Sequence, residues 1–141
     1  MRKSCSEDAE FAFEAVKVTM RDYAIQTWGV WLEKESKEAA IEDTSKGKIE
    51  IIIFEGGKAG TLQIERLENE IFVHQIYLLP NFQNLGIGSS LLNYLKEMAK
   101  EFNLPLKLSV LQVNPAKQFY INRGFIVVSE TSERVSMQYV P

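Results

Sequence analysis

With 141 residues, 45% of them hydrophobic and 25% charged, the chain has the size and balance of one soluble globular domain with a sizeable core. A formal net charge of −3 disfavours a phosphate-neutralising surface, so no nucleic-acid partner is expected. Cys5 and His74 are the only residues of their kinds, which excludes an internal disulfide and a Cys/His metal cluster; with no apolar run near ~20 residues and no signal-peptide core, the expectation is a cytoplasmic protein without a membrane partner.

Met1 to Cys5 has room only for a short strand. From Ser6 the pattern turns helical: Ser6 is a capping residue, and Glu7, Asp8 and Glu10 suit the positive end of a helix dipole. Phe11, Ala15, Val18, Met20, Ala24 and Ile25 then recur at roughly helical intervals as far as Thr27-Trp28-Gly29. A shorter helix follows from Trp31 to about Ile41, its charges spread as on a solvated face. Asp43 to Gly47 reads as a loop, Ile49 to Phe54 as a strand, and Glu55-Gly56-Gly57-Lys58 as a hairpin turn. Thr61 to Leu67 alternates as the next strand and turns at Glu68-Asn69-Glu70.

Ile71 to Leu79 is rich in β-branched and aromatic residues and reads as a buried strand, closed by Pro80-Asn81. Beyond it, Ile87, Leu91, Leu92, Leu95, Met98, Ala99 and Phe102 form the apolar stripe of a helix, with Asn93, Lys96, Glu97 and Lys100 opposite. Asn103-Leu104-Pro105 ends that helix, and Leu106 to Leu111 is the following strand. Pro115 to Arg123 reads as a helix stopped at Gly124, before two last strands, Phe125 to Val128 and Val135 to Tyr139, around Ser129 to Glu133.

Between the buried strand and the long helix lies Gln83-Asn84-Leu85-Gly86-Ile87-Gly88-Ser89. A turn of this kind places unpaired backbone N–H groups at the positive end of a helix dipole, which suits a phosphate, and Gly86 and Gly88 let an anion approach closely. It is not a P-loop, which closes on Gly-Lys-Ser/Thr, nor a dinucleotide fingerprint, because Leu91 stands at the third glycine position. A plain strand-to-helix turn that uses glycine for geometry remains the bland alternative.

The Gln-x-x-Gly-x-Gly run resembles the pyrophosphate-binding motif of the GCN5-related N-acetyltransferase (GNAT) superfamily. A second stretch, Asn114-Pro115-Ala116-Lys117-Gln118-Phe119-Tyr120-Ile121-Asn122-Arg123-Gly124-Phe125, closely resembles the Asn-Pro-Ala-x-x-x-Tyr-x-x-x-Gly-Phe segment of the same superfamily, in the same order along the chain. The resemblance covers the chain firmly from about residue 48 onward and the two N-terminal helices by topology only. It implies an α/β (α+β) fold: a mixed sheet of about six or seven strands flanked by about four helices, splayed between the fourth strand, Ile71 to Leu79, and the fifth.

The resemblance implies acetyl-CoA as acetyl donor, no metal, and direct attack by a primary amine in a ternary complex. Pantetheine would pair with the main chain of Ile76, Tyr77 and Leu78, the pyrophosphate would fall on Gln83, Asn84, Leu85, Gly86, Ile87, Gly88 and Ser89, and an N–H near Leu78 would meet the oxyanion. Asn114 would face the pantetheine arm; capping the helix that follows is its other reading. Tyr120 matches the tyrosine that protonates the leaving thiolate, as a phenol with an ordinary pKa near ~10 can, although a tyrosine packed beside Phe119 is the structural alternative.

His74 is similar in placement to a histidine that arylalkylamine acetyltransferases carry on this strand, which implies a general base; a hydrogen-bonded core histidine is the other reading. Alternation puts Phe72, His74 and Ile76 on one face unless a bulge intervenes. Glu33 and Glu65 are secondary candidates for holding or deprotonating the amine. Trp28, Trp31 and Tyr23 gather at the break between the first two helices, where this fold has a wall of the acceptor pocket, and with Glu33 and Glu35 they suit a cation; aromatics in such a place also serve as core. Cys5 lies far from both motifs, so no acyl-enzyme is expected. The acceptor is a small-molecule amine or a protein amino group, and homodimers are frequent in the family. The rival readings are a non-catalytic acyl-CoA sensor and a nucleotide-binding domain; the latter lacks Lys-Ser/Thr or a ribose-binding carboxylate in position.

Overall fold

The computed structural model describes residues 1–141. In chain order the elements are β1 (Arg2–Lys3), α1 (Ala9–Trp28), α2 (Glu33–Ser45), β2 (Glu50–Phe54), β3 (Gly57–Arg66), β4 (Ile71–Leu78), α3 (Ile87–Phe102), β5 (Leu106–Leu111), α4 (Ala116–Ile121), β6 (Ile126–Glu130) and β7 (Arg134–Tyr139). The strands make one seven-stranded sheet, ordered β1-β2-β3-β4-β5-β7-β6. β4 and β5 run parallel, whereas β1–β2, β2–β3, β5–β7 and β6–β7 are antiparallel, so the sheet is mixed as expected. No helix is long and apolar enough to cross a membrane. The chain gathers into two compact units, Met1–Ile64 with Gln75–Leu85, and Glu65–His74 with Gly86–Pro141.

In the first unit, Ala12 of α1, Ala40 of α2 and Ile49 and Ile51 form a buried cluster flanked by Phe11 and Phe13. The first helix opens with a 3₁₀ turn at Ser6–Asp8, and α2 runs past Ile41 through residues that read as loop. Thr44 explains that extension: it is fully buried, and its Oγ1 donates to the Ala40 carbonyl at 2.6 Å, so its polar group is satisfied inside the helix. The β2–β3 hairpin is tighter than its sequence suggests. Phe54 pairs with Gly57, so only Glu55 and Gly56 turn the corner, with φ of 51° and 79°, the positive pair of a type I′ turn.

Gly60 sets the approach of β3 to β4. A Cβ at this position would stand 1.9 Å from the Tyr77 carbonyl oxygen, so no other residue fits without moving backbone. The neighbouring Leu79 N–H donates to the Ala59 carbonyl at 2.8 Å. Tyr77 and Leu79 therefore direct these groups toward β3, and strand alternation turns the main-chain groups of Ile76 and Leu78 to the opposite edge.

In the second unit, β4 and β5 share only the pairs Ile71↔Leu106, Phe72↔Lys107 and Val73↔Leu108, which is the splay implied by the resemblance. The apolar stripe of α3 is buried at Ile87, Leu91, Leu92, Leu95 and Ala99. Phe102 departs from it: exposed, it carries the Arg66 guanidinium 4.1 Å from its ring centroid. β6 starts at Ile126 and takes in Ser129 and Glu130, later than the sequence suggests, because Phe125 turns inward against the rings of Tyr120 and Tyr139.

The start of the chain is fastened by one buried carboxylate. Asp8, 1% exposed, accepts two hydrogen bonds from the Arg2 guanidinium at 2.8 Å, one from the Cys5 N–H at 2.9 Å and one from Lys58 Nζ at 3.1 Å. Arg2 first, then the Cys5 N–H and Lys58, hold this carboxyl well below the usual range. Folded Asp8 stays ionised where an unfolded aspartate protonates, near ~3.9, so its contribution is complete above that pH and is lost as pH falls through it toward the depressed folded value. Asp8→Asn takes the charge from a buried acceptor whose cationic partners, Arg2 and Lys58, are themselves partly exposed, and should cost about 1–3 kcal/mol near neutrality. Urea titrations should show that gap narrowing below about pH 4.

Candidate active site

The glycine turn follows β4 through a short 3₁₀ segment at Pro80–Phe82. In the first unit, Gln83 does not reach outward: its Nε2 donates to the Leu78 carbonyl at 3.0 Å, folding the chain back on the end of β4. Asn84 sits at φ 62°, in the left-handed region that asparagine tolerates. The Tyr77 carbonyl lies against Gly60, and by strand alternation its neighbours Ile76 and Leu78 turn their main-chain groups to the other edge.

In the second unit, α3 begins at Ile87 with Gly86 at its N-cap, φ 82°. No side chain caps this terminus, and the first intrahelical bond runs from the Ser90 N–H to the Gly86 carbonyl at 3.1 Å. The N–H groups of Ile87, Gly88 and Ser89 thus precede the ladder at the positive end of the dipole. A Cβ on Gly86 would meet no atom within 4 Å, so the turn presents bare backbone to open space. Both features suit an anion.

Arg123, which the sequence reading passed over, lies beside that terminus. Its Nε and Nη2 donate to Ser89 Oγ at 3.2 and 2.9 Å, its Nη1 to the Phe119 carbonyl at 3.1 Å, and its guanidinium stacks 3.7 Å from the Phe119 ring centroid. The signal was present in the four-residue spacing of Phe119 and Arg123, which stacks cation on ring along a helix. Lys96 of α3 donates to the Arg123 carbonyl, joining the end of α4 to α3.

Asn114 performs its local role: Oδ1 accepts the Ala116 N–H at 2.9 Å and opens α4 as an Asx turn, leaving Nδ2 directed elsewhere. Tyr120 is buried, with the rings of Phe119 and Phe125 each 5.5 Å from its own, centroid to centroid. His74 is on the surface rather than in the core, edge-on to Phe72 at 4.9 Å, and its Nε2 lies 2.9 Å from Glu65 Oε1. The fold thus brings together two residues that the sequence offered separately.

At the α1–α2 junction, Trp28 is 44% exposed, which removes it from the core. Glu33 is paired with Lys17 at 2.7 Å, and that bond holds its carboxyl below the usual range, so its charge already has a partner. Trp31 is half-buried, its Nε1 enclosed and near enough to the Glu33 carboxylate to help hold it below the usual range, after Lys17.

Comparison with known proteins places this arrangement. An uncharacterized N-acetyltransferase of Staphylococcus aureus is 34% identical over 58 residues, a match spanning 41% of this chain and 36% of that protein. The chain therefore matches little more than a third of the length of these relatives. A crystal structure of PaiA N-acetyltransferase from Thermoplasma acidophilum in complex with coenzyme A superimposes with a TM-score of 0.75 over 99% of this chain and 97% of that one, at 20% identity. An acetyltransferase from Thermus thermophilus gives 0.76 over 99% and 95%, at 13% identity. These likenesses establish the fold. The family model described as "Acetyltransferase (GNAT) domain" matches residues 45–127, which contain the strand, the glycine turn, α3, Asn114 and Tyr120: the chain belongs to the GNAT acetyltransferase family.

Proposed function

We propose that this chain is an acetyl-CoA-dependent N-acetyltransferase that passes an acetyl group to a primary amine, on a small molecule or a protein, by direct attack in a ternary complex. The observation that carries this reading is the uncapped first turn of α3, where Gly86 meets open space and the N–H groups of Ile87, Gly88 and Ser89 stand ready for a pyrophosphate, in a chain of the GNAT family. Ile76 and Leu78 supply strand-edge groups for the pantetheine amides, and Asn114 supplies Nδ2. Gln83 contributes by holding the Leu78 carbonyl rather than by touching the ligand.

When bound, acetyl-CoA supplies an activated thioester carbonyl. The chain's own part is charge and proton management. In this proposal His74 accepts the proton of the ammonium acceptor, a backbone N–H of β4 near Leu78 meets negative charge developing on the carbonyl oxygen, and the Tyr120 hydroxyl protonates the departing thiolate. Trp28, Trp31 and Glu33 line the acceptor side. A cytoplasmic location and a homodimer complete the reading. A second reading, an acyl-CoA sensor without turnover, draws on the packing of Tyr120 between two phenylalanine rings, as a structural tyrosine would be packed. Product assays over an amine panel separate the two.

Acetyl-CoA should raise the unfolding temperature through mass action, and Gly86→Glu should abolish that rise by charge and steric conflict at the open turn. No shift in the parent protein would remove the cofactor assignment.

Tyr120→Phe keeps the ring packing and deletes the acid; kcat should fall by ~10²-fold or more with acetyl-CoA affinity unchanged. Full turnover in the variant would move the acid role elsewhere.

His74→Gln should fold, bind acetyl-CoA and lose both most of the rate and the acidic limb of the pH profile. Two acceptors of different basicity are required, since an acidic limb that follows the acceptor and ignores the substitution excludes His74 as the base.

A further inference from the structure

The pairing of His74 with Glu65 goes a step beyond the base role, and rests on it. Both side chains are substantially exposed, 41% for His74 and 55% for Glu65. A contact so exposed is screened by water, so the fold does not depend on it. What the pairing does fix is the ring. An ionised carboxylate only accepts hydrogen bonds, so the nitrogen 2.9 Å from Glu65 Oε1, Nε2, must carry the proton. The neutral imidazole then has its lone pair on Nδ1. The Phe72 ring, edge-on at 4.9 Å, limits the positions open to the imidazole plane.

The placement along β4 adds to this. His74 is the first residue beyond Val73↔Leu108, the last β4–β5 pair, so it stands where the strands cease to share hydrogen bonds. We propose that Glu65 is a positioning residue for the transfer: it holds His74 in the Nε2–H form and thereby assigns proton acceptance to Nδ1. One proton leaves the acceptor's ammonium nitrogen for Nδ1, the amine gains its free lone pair, and the resulting imidazolium stays beside the Glu65 carboxylate. The pair is built from β3 and β4 alone.

The test uses the full chain with ¹⁵N-labelled histidine. His74 is the only histidine, so its two ring nitrogens give the only imidazole signals. In the ligand-free protein above the ring's titration, Nε2 should show the protonated shift and Nδ1 the unprotonated one. In Glu65→Ala the two should move toward an average as the tautomers interchange, with the unfolding midpoint unchanged. That variant should also lose kcat roughly tenfold, a smaller loss than that of His74→Gln, with KM for acetyl-CoA unmoved. A proton on Nδ1 in the parent protein overturns the proposal. So does an unchanged kcat in Glu65→Ala while His74→Gln is inactive, an outcome that leaves the base role standing. Full activity in both variants ends the base role and the proposal together, even if the tautomer responds to Glu65.

Discussion

The parallel ladder between β4 and β5 stops after three residue pairs, and much of the candidate site depends on that interruption. A strand that leaves its neighbour must find other partners for its N–H and C=O groups, because unpaired backbone groups are costly away from water. Here the chain supplies some itself. Gln83 returns to bond the Leu78 carbonyl, the Tyr77 carbonyl is drawn against Gly60, and the Leu79 N–H bonds Ala59. What remains is an edge defined by Ile76 and Leu78, the kind of surface an amide-bearing ligand can complete.

The turn after β4 poses the complementary case, a helix start rather than a strand edge. The left-handed Gly86 lets α3 begin abruptly, and neither Gly86 nor the residue before it offers a capping side chain. Natural helices seldom leave this end bare without a reason in water or ligand. Arg123 reinforces the positive character near Ser89, and its own placement depends on stacking over Phe119 and on the bond from Lys96 to its carbonyl. Electrostatics and packing therefore point the same way at this terminus, although the groups come from the start of α3 and the turn after α4, far apart in sequence.

Several features that carry the site were legible in the amino-acid order. The burial of Ile87, Leu91, Leu92, Leu95 and Ala99 follows from their helical spacing, and the mixed strand-rich character from the alternation and turn chemistry between Ile49 and Leu79. Element ends were less legible. α2 continues through Asp43–Ser45 because Thr44 becomes buried and bonds Ala40, and β6 shifts because Phe125 is claimed by Tyr120 and Tyr139. Both are tertiary effects that override local preference.

The sequence alone determined the family, the glycine turn, the long amphipathic helix and the identities of Asn114, Tyr120 and His74, since motif order and periodicity are local properties of the chain. Tertiary structure decided which of those groups are available. It engaged the Asn114 oxygen with Ala116, bound the Gln83 amide to Leu78, turned the Tyr77 carbonyl toward β3, and paired Glu33 with Lys17. It also put His74 beside Glu65 and Arg123 beside Ser89. Such pairings join residues distant along the chain, and no local pattern encodes a distance that exists only after the strands and helices have packed.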